Sequence, residues 1–180
     1  MPKVAYRRIF YTLQFIRLFA PLLIFVNVFL GIVAATFFDL IDAMFASRGG
    51  MRRHQYHSWD KTLDNYWYVI SLIFALLVPE YSNYLELLII LFAYRLLGLL
   101  FFFILKKRQI FLFFPNIYEN LFILVSLGLF IPGLNFILLT PWFESIILAT
   151  SVLKLWQEYL LHYLTYPMAK KINLDMRWVD

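Results

Sequence analysis

Residues 39–64 read DLIDAMFASRGGMRRHQYHSWDKTLD. Four of the chain's six aspartates fall in this stretch, Asp39, Asp42, Asp60 and Asp64, at intervals of 3, 18 and 4. Apolar sequence flanks it on both sides, FVNVFLGIVAATFF at 25–38 and NYWYVISLIFALLV at 65–78. On a helix, residues three or four apart share a face, so Asp39 pairs with Asp42 and Asp60 with Asp64. Consecutive helices joined by a loop tend to be spatial neighbours. The two acidic pairs are therefore expected to meet across one cleft at the edge of the apolar region.

The chain around this stretch is 180 residues long, 63% hydrophobic and 21% aromatic, with 20 Phe. Soluble domains are less apolar and more charged. One core of this size cannot hide so many large apolar side chains, so lipid is expected to cover part of the surface. The composition predicts an all-α fold, a polytopic integral-membrane helical bundle of one domain over residues 1–180. The formal charge of +5 comes from Lys and Arg at the ends of apolar runs, which fits membrane-flanking positions and not a nucleic-acid surface. There is no cysteine, which excludes thiolate metal sites and leaves the redox compartment open. The apolar run after Arg17 passes into Asp39 without a small-residue cleavage pattern, so no cleavable signal is expected.

Runs of about 20 apolar residues define the expected spans. These are 19–38, 63–79, 84–105, 110–131 and 141–165, with a break near Pro115 and a stop at IPGLN. Residues 43–62 read as a polar, basic connection. Residues 3–18, KVAYRRIFYTLQFIRL, mix basic and aromatic side chains and read as an amphipathic, interfacial or re-entrant helix. The basic groups at 43–62, at Lys106, Lys107 and Arg108, and in the tail at Lys170, Lys171 and Arg177 share one side if 63–165 forms two hairpins. That side is expected to be cytoplasmic. A single span at 19–38 leaves the basic N-terminus on the wrong side. Either residues 3–38 form a helical hairpin or re-entrant piece, or the N-terminal segment breaks the positive-inside pattern.

Four converging carboxylates repel one another, and burial raises the cost of ionising them. One or two divalent cations remove that conflict, and hard cations such as Mg²⁺, Ca²⁺ or Mn²⁺ take oxygen ligands of this kind. Solvated acids paired with Arg48, Arg52, Arg53 or Lys61 are the plainer alternative. The same alternative holds for His54 and His57, which read either as metal or proton groups or as polar surface.

The stretch resembles the signature of the CDP-alcohol phosphatidyltransferase family, D-x2-D-G-x2-A-R-x8-G-x3-D-x3-D. Laid on this chain without a gap, the four acids fall on Asp39, Asp42, Asp60 and Asp64, and the motif alanine on Ala46. The first motif glycine is Ala43 here, the arginine is Ser47 with Arg48 one place later, and the second glycine is Tyr56. The resemblance covers about 26 residues. It implies transfer of a substituted phosphate from a CDP-linked lipid or alcohol donor to an alcohol acceptor, with release of CMP. It also implies Mg²⁺ or Mn²⁺ held by Asp39, Asp42, Asp60 and Asp64, with Asp64 also acting as base toward the acceptor hydroxyl. The nucleotide would lie against the small-residue face at Ala43, Ala46, Ser47 and Arg48. The partners so implied are the donor, the acceptor and membrane lipid, with a homodimer left open. The competing readings are a small ion-binding or transport protein and a non-catalytic membrane scaffold that use the same carboxylates.

Elsewhere, Arg95 and Glu119 lie inside apolar runs, where charges face a partner or a watery cavity; a mutual ion pair is favoured over contact with a substrate phosphate. Asn116 is a candidate helix cap. Lys154, Glu158 and His162 make a polar stripe on the last span.

Overall fold

A computed structural model describes residues 2–107 and 109–160, and only the backbone at 53, 54 and 158. The expectations for Arg108, His162 and the basic tail at Lys170, Lys171 and Arg177 lie outside the described residues, as do those for the side chains of Arg53, His54 and Glu158. The fold is all-α: the described residues contain seven α-helices, three short 3₁₀ segments and no strand. They fall into two compact units, one running up to Phe74 and one starting at Ala75.

The first unit begins with α1, Lys3–Phe19. Pro21 cannot donate a backbone hydrogen bond and crowds the preceding turn, so the α-helix gives way to a 3₁₀ segment at Ala20–Phe25. Asn27 then starts α2, Val28–Arg48, by accepting bonds from the amides of Phe29 and Leu30 at 3.0 and 3.1 Å. These two pieces form an antiparallel hairpin. At its closed end Gly31 lies against the Ile24 backbone so tightly that a Cβ would come within 2.6 Å of the Ile24 N and Cα. At its open end Gly49 faces the backbone of Arg7. Residues 3–38 thus take the helical-hairpin alternative, and the expected continuous span at 19–38 is divided at Asn27.

The polar connection expected at 43–62 is almost wholly helical. α2 continues to Arg48, the chain reverses over residues 49–52 with Gly50 in the left-handed region at φ 71°, and α3 runs from Arg53 to Leu77. The reason is local: no Gly or Pro interrupts residues 51–78, and Asp60 and Lys61, among the polar groups that suggested a loop, join the acidic cluster from a helix face. Phe10, Ala46, Met51 and Tyr56 form the buried apolar cluster beside this turn.

The second unit carries a 3₁₀ segment at Pro79–Tyr84 followed by α4, Leu85–Leu105. A short α5, Ile110–Phe113, ends before Pro115, and α6 spans Ile117–Phe130. This matches the expected break near Pro115 and the stop at IPGLN. Asn116 caps α6 as expected, accepting from the Glu119 amide. A 3₁₀ segment at Asn135–Leu138 leads into α7, Trp142–Tyr159. Arg95 is buried on α4, donating to the Phe114 carbonyl and lying over the Phe111 ring, while Glu119 accepts from the Asn116 side chain. Tyr81 stacks on Phe122 and hydrogen-bonds Ser126 at 2.7 Å, tying the start of this unit to α6.

Three helical segments among the described residues are long and apolar enough to cross a membrane: Lys3–Phe25, Val28–Arg48 and Pro79–Leu105. The apolar α6 is shorter, at 14 residues. The three long segments support membrane association. They expose Leu30, Val33, Phe37, Ile90, Leu97 and Ile104, side chains that lipid solvates and water does not.

Candidate functional site

The four aspartates of the 39–64 stretch do converge. The last turns of α2 bring Asp39 and Asp42 to the first turns of α3, where Asp60 and Asp64 share a face. One oxygen each from Asp39, Asp42 and Asp60 lies within 4.8 Å of the others. Asp42 and Asp60 are buried, and the Asp39 side chain is 44% exposed. That spacing is compatible with a metal ion held by the triad. Asp64 stands beside the triad, linked to it through two cationic side chains.

The principal cation is Arg17 of α1, a residue that the spacing of the acids does not reveal. Its Nη2 donates to Asp39 Oδ1 at 2.7 Å and to Asp64 Oδ1 at 3.1 Å. Its Nη1 donates to Asp42 Oδ2 and lies 3.6 Å from Asp60 Oδ1. Lys61 adds a second cation, 3.0 Å from Asp60 Oδ2 and 2.6 Å from Asp64 Oδ2. Among the basic groups of the 43–62 stretch, Lys61 is thus engaged with the acids, whereas Arg48 is exposed and lies over the Tyr6 ring.

Two neutral side chains join the cluster. Gln14, one turn before Arg17 on the same face of α1, donates Nε2 to Asp42 Oδ2 at 2.9 Å. The Tyr56 hydroxyl donates to Asp42 Oδ1 at 2.7 Å and lies 3.3 Å from Asp60 Oδ1. Burial first, and then the Asp60 and Asp42 carboxylates, push the Tyr56 phenol well above its usual range, which keeps it a donor. His57 is buried with its ring against Tyr56.

The small-residue face expected to receive a nucleotide is covered from within. Ala46 is fully buried under Phe10, Met51 and Tyr56, and Ala43 packs against the same cluster. Ser47 is buried and donates to the Met44 carbonyl at 3.1 Å. Tyr56, in the position of the motif's second glycine, fills the space a glycine would leave and spends its hydroxyl on the acids.

Sequence reasoning missed Arg17 and Gln14 because both lie on a helix remote in sequence from the acids. One signal was available. Arg17 is the only charged residue between Arg8 and Asp39, and a lone charge in an apolar segment needs a partner. What fold and site define together is an all-helical, membrane-compatible protein with an acidic cluster sealed by an arginine of its own first helix. No protein family, curated protein or solved structure matches this chain.

Proposed function

We propose that the chain is a membrane-embedded, Mg²⁺- or Mn²⁺-dependent transferase resembling the CDP-alcohol phosphatidyltransferases. The supporting observation is the convergence of four carboxylates, at that family's spacing, from the facing ends of α2 and α3. In this reading Asp39, Asp42 and Asp60 would hold a divalent ion, which would supply positive charge to the pyrophosphate of a CDP-linked donor. Asp64 accepts the proton of the acceptor hydroxyl, whose oxygen bonds to phosphorus as the bond to CMP breaks. Lys61 holds Asp64 in position and adds positive charge beside the departing phosphate. The basic turn after α2 lies on the cytoplasmic side, as does the C-terminus. An amphiphilic donor reaches the cleft from the bilayer, and Ala43, Ala46, Ser47 and Arg48 accept the nucleotide only after Tyr56 and Phe10 withdraw from that face.

The test is release of CMP from CDP-diacylglycerol by the purified full-length protein with Mg²⁺ or Mn²⁺ and a panel of alcohols. Metal-dependent release that Asp64→Asn abolishes is expected. No release with any alcohol, together with no binding of cytidine nucleotides, sinks the proposal.

A specific observation favours a second reading, a non-catalytic membrane scaffold. Arg17 and Lys61 already contact all four acids, which is how a protein stabilises a buried charged cluster without a metal. Under that reading Arg17 is required for folding, and Mg²⁺ and Mn²⁺ leave the protein unaffected.

A further inference from the structure

The occupancy of the carboxylate oxygens bears on how any metal enters. Seven of the eight oxygens of Asp39, Asp42, Asp60 and Asp64 face a donor from Arg17, Lys61, Gln14 or Tyr56. Arg17 reaches all four residues, and its two terminal nitrogens contact every member of the close triad. An ion coordinated by the oxygens that Arg17 contacts would compete with the guanidinium for them, because two cations that close repel each other.

Gln14 supplies an independent observation at the same cluster. Its Nε2 donates to Asp42, and the residue is buried at 8% exposure, yet Oε1 has no hydrogen-bond partner. Flipping the amide would set an oxygen against the Asp42 carboxylate, so the orientation is determined. A buried amide oxygen without a donor is costly, and it is also a ligand type that hard divalent cations accept.

Resting on the metal half of the function proposed above, we infer that Arg17 is a tethered counter-cation competing with a divalent metal ion for the Asp39–Asp42–Asp60 triad. Gln14 Oε1 becomes a further ligand when the metal takes that place. The first helix thus carries both the group that closes the site and the group that completes it. Metal affinity is set by how readily Arg17 yields, and replacing Arg17 with a neutral side chain converts a closed cluster into an open one.

The experiment is a titration of full-length protein in detergent with Mn²⁺ alone, read by electron paramagnetic resonance. Arg17→Gln is expected to bind Mn²⁺ at least about tenfold more tightly than the unaltered protein, a decade in Kd. Adding Gln14→Ala to that variant is expected to reverse part of the gain, and adding Asp42→Asn to remove binding. Because Arg17→Gln leaves four acids underneutralised, its melting temperature is measured with and without Mn²⁺. The ion is expected to raise it more than it raises that of the unaltered protein. Arg17→Lys, whose single nitrogen cannot reach all four acids, is expected to fall between the two in affinity. Equal Mn²⁺ affinity in Arg17→Gln, Arg17→Lys and the unaltered protein overturns the inference, as does an Arg17→Gln protein that stays unfolded in millimolar Mn²⁺. Tighter binding without CMP release removes the transferase and leaves the inference standing; CMP release with equal affinities does the opposite.

Discussion

Arg17 on α1 donates through Nη1 to Oδ2 of Asp42 on α2, with both side chains buried at 5% and 0% exposure. The bond joins residues 25 apart and locks the hairpin between its closed end at Gly31 and its open end at Gly49. Removing one partner of such a pair strands the other in a medium that cannot solvate it. Arg17→Leu is expected to cost about 3–5 kcal/mol in metal-free buffer, measured by reversible denaturation in detergent. The double variant Arg17→Leu/Asp42→Asn is expected to lose less than the two single losses combined. Simple additivity would show that the pair does not act as a unit.

Tyr56, in the first turn of α3, reaches across to Asp42 on α2 and lies beside Asp60 one turn later on its own helix. Tyr56→Phe keeps the packing against Phe10 and removes only the donor. It is expected to destabilise the protein by about 1–3 kcal/mol, because Asp42 Oδ1 loses its hydrogen bond while buried. A change within error would mean that water replaces the hydroxyl, and so that the cluster is wetter than its burial indicates.

The hairpin turn is testable away from any charge. Asn27→Ala removes the α2 cap and is expected to cost about 1 kcal/mol. Gly31→Val places a branched side chain against the Ile24 backbone and is expected to cost at least as much, about 1–3 kcal/mol. Equal melting temperatures for Gly31→Val and the parent would show that the 3₁₀ segment and α2 do not meet as described.

The second unit offers its own check. Tyr81→Phe removes the hydroxyl bonded to Ser126 while Ser126 keeps its bond to the Phe122 carbonyl. The expected cost is therefore modest, about 1 kcal/mol. A loss several times larger would mean that Tyr81 positions the 3₁₀ segment at Pro79–Tyr84 through that hydroxyl.

What was legible in the sequence was the part that local spacing controls. The apolar runs announced an all-helical, membrane-compatible chain, Pro115 and the IPGLN stretch marked where a helix breaks and stops, and Asn116 marked a cap. The three- and four-residue intervals placed Asp39 with Asp42 and Asp60 with Asp64, because a helix maps such intervals onto one face. Polarity misled at 43–62, since charged residues on a helix and in a loop look alike until the buried face is known.

The tertiary structure alone decided what those acids meet. Arg17 and Gln14 sit 22 to 50 residues before the acids on another helix, and no interval in the sequence encodes which faces of two helices pack together. That is settled by Gly31 letting the hairpin close on Ile24 and by Phe10 seating on Ala46 and Tyr56. Those contacts carry the guanidinium into the acidic cleft, where unlike charges attract most strongly because little water is left to screen them.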